Sequence, residues 1–176
     1  AAYSSELPAV IIIGAGVIGL LSALRLAQAG LAVEVFEQGD PATESSWAGL
    51  GVLSPQAASD RPREFLTLAQ ASLALFPALA DELRALTKID VDLRREGLLQ
   101  VGLDDDEWQA LRADAEMQRA AGVPVQLLSA DEARAREPVL SVEARGALCF
   151  VNGWQVDNRL LNWALLTAAT AAGVRR

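Results

Sequence analysis

Gly14, Gly16, Gly19 and Glu37 are the residues of this chain whose types and spacing could do chemistry. The glycines stand in the order G-A-G-V-I-G, and the acid lies 23 positions after the first of them. Gly14 permits a tight turn, Gly16 lets backbone approach a pyrophosphate, and Gly19 lets a helix pack close to a strand. The pyrophosphate would rest on the free N–H groups and positive dipole end of a helix opening near Val17. The Glu37 carboxylate can accept both hydroxyl hydrogens of an adenosine ribose and would repel a 2′-phosphate, which favours FAD or NAD over NADP. Glycines recur in turns for purely structural reasons, so the pattern takes its weight from its setting.

That setting is a strand–turn–helix–strand unit. Val10–Ile13 is a short apolar run rich in β-branched residues and reads as a buried parallel strand. Val17–Ala29 has helical spacing, with Val17, Leu20, Leu21, Leu24 and Ala27 on one face. Leu31–Glu37 is the second strand. The fold class is α/β, opening on a Rossmann-like βαβ unit.

Bulk properties narrow the function. The 176 residues suffice for one ordinary core or two small lobes. An apolar share of 52% with 22% charged residues is that of a globular chain. The net charge of −8 argues against nucleic acid or an anionic membrane as partner. The uncharged stretch Leu7–Leu24 is broken by Pro8 and glycines, which suits a strand and packed helix better than a membrane span. Glu6 and the lack of a basic n-region argue against a signal peptide, and Ala1–Glu6 reads as a frayed leader. Cys149 is the only cysteine, so no intrachain disulfide forms and a reducing, cytoplasmic compartment fits. It sits in the apolar run GALCFV, where a buried inert thiol is expected. With no histidine, Ser–His–Asp and Cys–His catalysis and the usual zinc sets are absent, and no metal is expected.

Further along, Gln38–Ser46 is rich in turn formers. Trp47–Pro55 has Gly49 and Gly51 among apolar neighbours, which suits either backbone pressed on something large and flat or a tight turn. After a break at Asp60–Pro62, Arg63–Thr87 is helical, with Phe65, Leu68, Ala69, Ser72, Leu75 and Phe76 along one face. Pro77 either kinks this helix or divides it. Arg95–Leu103 reads as a strand, and Asp104–Asp106 suit the start of a helix over Glu107–Ala121. Pro124–Leu128 is a short strand, and Ser129-x-x-Glu132 is a capping box opening Ala130–Arg136. Gly146–Val151 is a strand. Asp157 caps a last helix over Asn158–Ala172, with Leu160, Leu161, Ala164, Leu165 and Ala168 as its buried face.

At Ser45–Pro55, SSWAGLGVLSP, the chain resembles the FAD-dependent amine oxidases of the glycine oxidase and D-amino-acid oxidase family, nearest the glycine oxidases of thiamine biosynthesis. GAGVIGLLSALRLAQAG, VEVFEQG, FPALADELRALTKIDVD, EGLL and QVDNRLLNWAL carry the resemblance across the rest. It implies FAD bound in extended form over Gly14, Ala15, Gly16, Val17, Ile18 and Gly19. Val17 and Ile18 would flank the pyrophosphate, Glu37 and Gln38 would hold the ribose, and Ser45 and Ser46 would meet the pyrophosphate or ribityl. Ala48 and Gly49 would lead into Leu50, Gly51 and Val52 along the isoalloxazine. Relatives often have a smaller residue than Leu50 and a proline at Asn158, the latter change being neutral at a helix start.

The resemblance also implies that family members run on for about as many residues again. Catalytic and substrate-gripping residues would lie in that second half, so none is assigned here. Residues 1–60 and 152–176 would form the FAD-binding part, and 61–151 part of an α+β substrate lobe. The implied reaction oxidises glycine or a related small amine with oxygen, giving imine and hydrogen peroxide. This chain alone would be inactive, and would pair with the missing half or self-associate. The alternatives are a cofactor-holding, non-catalytic subunit of a heteromeric amine dehydrogenase and an NAD-dependent dehydrogenase.

Overall fold

The computed structural model describes residues 9–56 and 61–176. The leader at Ala1–Glu6, and Asp60 of the break, lie outside the described residues. The elements run β1 (Val10–Ile13), α1 (Val17–Gln28), β2 (Val33–Phe36), α2 (Ser45–Ala48), β3 (Val52–Leu53) and α3 (Arg63–Thr87). They continue with β4 (Leu98–Gly102), α4 (Asp105–Ala120), β5 (Val125–Ser129), α5 (Ala130–Arg136), β6 (Gly146–Phe150), β7 (Trp154–Gln155) and α6 (Asn158–Ala171). They fall into two units, Ala1–Gly51 with Pro77–Leu93 and Val156–Arg176, and Val52–Phe76 with Arg94–Gln155. The sequence reading kept all of 61–151 together, whereas Pro77–Leu93 groups with the first unit.

In the first unit β1 and β2 pair in parallel, Val10 opposite Val33 through Ile13 opposite Phe36. Val33 and Val35 are buried on one face, while Ile11, Ile13 and Phe36 lie exposed on the other. Arg175 bridges to β2 in parallel, its N–H donating to the Val33 carbonyl (3.0 Å) and its carbonyl accepting from Val35 (2.9 Å). α1 buries Leu20, Ala23 and Leu24, and packs on α6, which buries Leu161, Ala164, Leu165, Ala168 and Ala169. Alanines on this seam let the helices approach closely. Arg25 of α1 pairs with Glu82 of α3 at 2.6 Å, an ion pair open enough to solvent that its contribution is small. Asp157 caps α6 by accepting from Arg159 and Leu160 N–H, both at 2.9 Å. The buried face of α6 differs at its start from the sequence expectation: Leu160 is exposed and Asn162 is buried.

α3 is continuous through Pro77. Its inward stripe is Leu66, Ala69, Leu73, Phe76, Ala80 and Leu83, buried or half-buried, at alternating spacings of three and four. Phe65, Leu68 and Leu75, assigned to the inward face by hydrophobicity, are exposed.

The second unit is built around β6, which lies between β4 and β5 in an antiparallel sheet. Leu148 and Phe150 on one face join Leu66, Leu111, Ala115, Val123 and Val125. Ala147 and Cys149 on the other join Leu128 and Ala133. A central strand covered on both faces is apolar throughout, which explains the run GALCF. Asp104 caps α4 by accepting from Glu107 N–H (2.8 Å), and Ser129 with Glu132 forms a complete capping box on α5. β3 and β7 form a two-residue antiparallel ribbon.

Candidate functional site

The glycine turn takes its shape from residues that must stay small. Gly14 has φ +100°, a left-handed value that other residues rarely adopt, and donates its N–H to the Phe36 carbonyl at 2.7 Å. A Cβ on Gly19 would overlap the Gly14 carbonyl, so the helix leaves the turn in close contact with it. Gly16 is the N-cap of α1 and has no side chain to satisfy the helix end. The first-turn amides of a helix have no intrahelical acceptor. One of them, Val17 N–H, donates to Ser46 Oγ at 3.1 Å. The hydroxyl of α2 therefore caps α1 at the point where the sequence reading set a pyrophosphate.

Glu37 turns back onto this turn. Its Oε2 accepts from Ala15 N–H at 2.8 Å, and its Oε1 accepts from Gln38 N–H (2.7 Å) and Gly39 N–H (3.2 Å). The Ala15 bond above all, then Gly39 and Gln38, holds the carboxyl below the usual glutamate range, so it is ionised at neutral pH. Three of the roughly four acceptor positions of a carboxylate are thus occupied. About one stays open for a hydroxyl, where the sequence reading allowed two. Beside Glu37 is a cleft of about 280 Å3 lined by Ala15, Val35, Phe36, Gly39, Pro41 and Arg176. Gln38 meets Glu37 through its backbone rather than its side chain.

The second part of the site is the turn after α2. Trp47 and Ala48 N–H donate to the Glu44 carbonyl at 2.9 and 3.2 Å, making one helical turn of residues the sequence reading left outside any helix. Asn158 Nδ2 donates to the Ser46 and Trp47 carbonyls, both at 2.8 Å. The Arg159 guanidinium lies over the Trp47 ring at 5.0 Å. Gly51 has φ +72°, and a Cβ there would overlap the Val156 carbonyl. The Val156 N–H donates to the Gly51 carbonyl at 3.0 Å. Between these anchors Leu50 is 82% exposed. Ser45 opens α2 and Ala48 closes it, while Ile18 faces outward from α1 and Val52 opens β3.

The structure therefore brings Gly14, Ala15, Gly16, Val17, Glu37 and Ser46 together through hydrogen bonds and close packing. Sequence reasoning missed Asn158 as part of this cluster and read it as a neutral helix start. No local signal could have found it, because its partners lie 111 and 112 residues away. Among the described residues no group of three His, Cys, Asp or Glu side chains could hold a metal ion. Among them, too, no helix is long and apolar enough to cross a membrane.

Residues 9–175 match the family described as FAD dependent oxidoreductase. The chain belongs to that family. It is 37% identical over 165 residues to the glycine oxidase of Geobacillus kaustophilus, covering 93% of this chain and 44% of that protein. It is 32% identical over 215 aligned positions to a D-amino acid dehydrogenase of Rhizorhabdus wittichii, covering 94% of this chain and 52% of that protein. The crystal structure of glycine oxidase from Bacillus cereus superposes with a TM-score of 0.88 at 31% identity, over 96% of this chain and 45% of that one. The chain thus spans about half the length of the relatives it matches, or less. The cofactor of this family, FAD, is a flavin joined to adenosine through a pyrophosphate. The anchored carboxylate and the adjoining cleft fit the adenosine end of such a group.

Proposed function

We propose that this chain is the FAD-holding part of an amino-acid oxidase of the glycine oxidase type. The observation that carries the reading is the Glu37 carboxylate, ionised and fixed on the Ala15 amide beside an open cleft. There it would accept a hydrogen bond from an adenosine ribose hydroxyl. The free amides opening α1, Ile18 among them, would receive the pyrophosphate, with Ser45 and Ser46 beside it. The Ala48–Val52 turn, with Gly49, Leu50 and Gly51 between, would lie along the flavin ring, Gly51 packing the turn on Val156 and Leu50 bounding the substrate side. FAD, when bound, supplies the two-electron oxidation.

In the proposed reaction a small amine or amino acid loses a hydride from Cα and a proton from nitrogen, leaving an imine that water hydrolyses. Oxygen takes up two electrons and two protons as hydrogen peroxide. The dehydrogenase relative supports a second reading, in which another acceptor takes the electrons. We place the groups that grip the substrate in a complementary polypeptide portion matching the rest of the relatives' length. The exposed apolar face of β1 and β2 supports this, since parallel sheets are ordinarily covered on both faces.

The test is titration of the purified chain with FAD, followed by addition of glycine, sarcosine or D-amino acids. The expected result is a yellow complex of one FAD per chain that makes no peroxide alone. Failure to bind FAD contradicts the reading, and NADH binding in its place favours a nicotinamide enzyme. Peroxide from this chain alone contradicts the assignment of the substrate-gripping groups to another portion.

A further inference from the structure

We propose that Asn158 is a positioning residue that holds the Ser45–Gly51 turn in the shape the flavin requires. Its side-chain amide donates to two consecutive carbonyls, Ser46 and Trp47, both at 2.8 Å. α2 is a single turn of four residues, with no side-chain hydrogen bond at its N-cap. Such a turn has too few internal bonds to hold itself, and its last carbonyls have no partners within it. Asn158 supplies those partners from the start of a fourteen-residue helix that is itself capped by Asp157. The same helix start adds Arg159 over the Trp47 ring, and Val156 just before it is hydrogen-bonded to Gly51. The turn is thus fastened near both ends by Val156–Arg159. One of its residues, Ser46, in turn fastens Val17 at the opening of α1. Buried Asn162, one turn further along α6, donates to the Asn158 carbonyl at 2.8 Å and tightens the base of the clamp.

Two roles for Asn158 make opposite predictions. Asn158 is the first residue of α6, where an acid is favourable because the helix N-terminus carries partial positive charge. If Asn158 served only the helix, Asn158→Asp would be neutral or stabilising and Asn158→Ala mildly harmful. If Asn158 is a clamp, Asn158→Asp is the worse change, because a carboxylate would face two carbonyl oxygens with no donor.

Hydrogen–deuterium exchange of the full chain without added cofactor reads the clamp directly. The Trp47 and Ala48 amides, bonded to Glu44, should exchange about tenfold faster in Asn158→Ala and faster still in Asn158→Asp. Protection of residues 160–171 should be unchanged. Equal exchange at 47–48 in all three proteins overturns the clamp, as does loss of protection along α6 equal to that in the turn. The effect on the cofactor rests on the flavin reading above and has its own readout. FAD affinity should fall about tenfold in Asn158→Ala and further in Asn158→Asp, with an altered visible circular dichroism of the bound flavin. An Asn158→Asp protein that binds FAD as tightly as the unaltered chain overturns the cofactor role. An unaltered chain that binds no FAD refutes the flavin reading instead, while the exchange data still decide the clamp.

Discussion

β1 and β6 are both uncharged, apolar runs, VIII and GALCF, and meet different surroundings. β6 is buried at every position, because helices and loops of its own unit cover both faces. β1 is covered on one face only, and Ile11 and Ile13 are 58% and 89% exposed. An apolar run therefore states that a strand needs cover on two faces, not that the surrounding chain supplies it. For β1 no such second cover is present among the described residues, and its bare face leads into the glycine turn.

Substitutions can test this contrast. Phe150→Ala should cost the second unit about 3–5 kcal/mol in urea unfolding, because it leaves a cavity in a closed core. Ile12→Ala, on the covered face of β1, should cost the first unit about 1–2 kcal/mol by the same measurement, the site being only partly enclosed. Ile13→Ser, its neighbour on the bare face, should change stability by no more than about 0.5 kcal/mol and should reduce self-association in light scattering. A cost for Ile13→Ser equal to that for Ile12→Ala would show that the bare face is already covered in solution. The smallest effect concerns acid. The Glu37 carboxyl is held below its ordinary range, so its contribution to folding is fully present above that ordinary range and is lost as pH falls below it and through the lowered value of the folded chain. First-unit melting should thus decline on acidification below about pH 4.3, and Glu37→Gln should flatten that decline.

Much of the architecture is legible because it is local. The strand, glycine turn and helix at Val10–Gln28 follow from periodicity and backbone freedom, and the Ser129–Glu132 box from side chains three positions apart. The stripe of α3 was misplaced because Phe65, Leu68 and Leu75 are as apolar as the buried Leu66 and Leu73. Composition alone does not choose between two adjoining faces of one helix. The ribbon of Val52–Leu53 with Trp154–Gln155 is two residues long, too short to show a period. At the site, Glu37 could be found from spacing, but its three backbone donors and the single position left open could not. Asn158 was hidden for the opposite reason, since its side chain acts across more than a hundred residues.

In the proposed function, Glu37 at the glycine turn holds the adenosine end of a flavin dinucleotide. Parallel titrations with FAD and FMN, on the unaltered chain and on Glu37→Ala, test it most directly, because FMN carries the flavin without the adenosine. FAD should bind and FMN should not, and Glu37→Ala should weaken FAD by about tenfold, the loss of one hydrogen bond to a charged group. FMN binding as tightly as FAD, or Glu37→Ala binding FAD unchanged, would contradict the account.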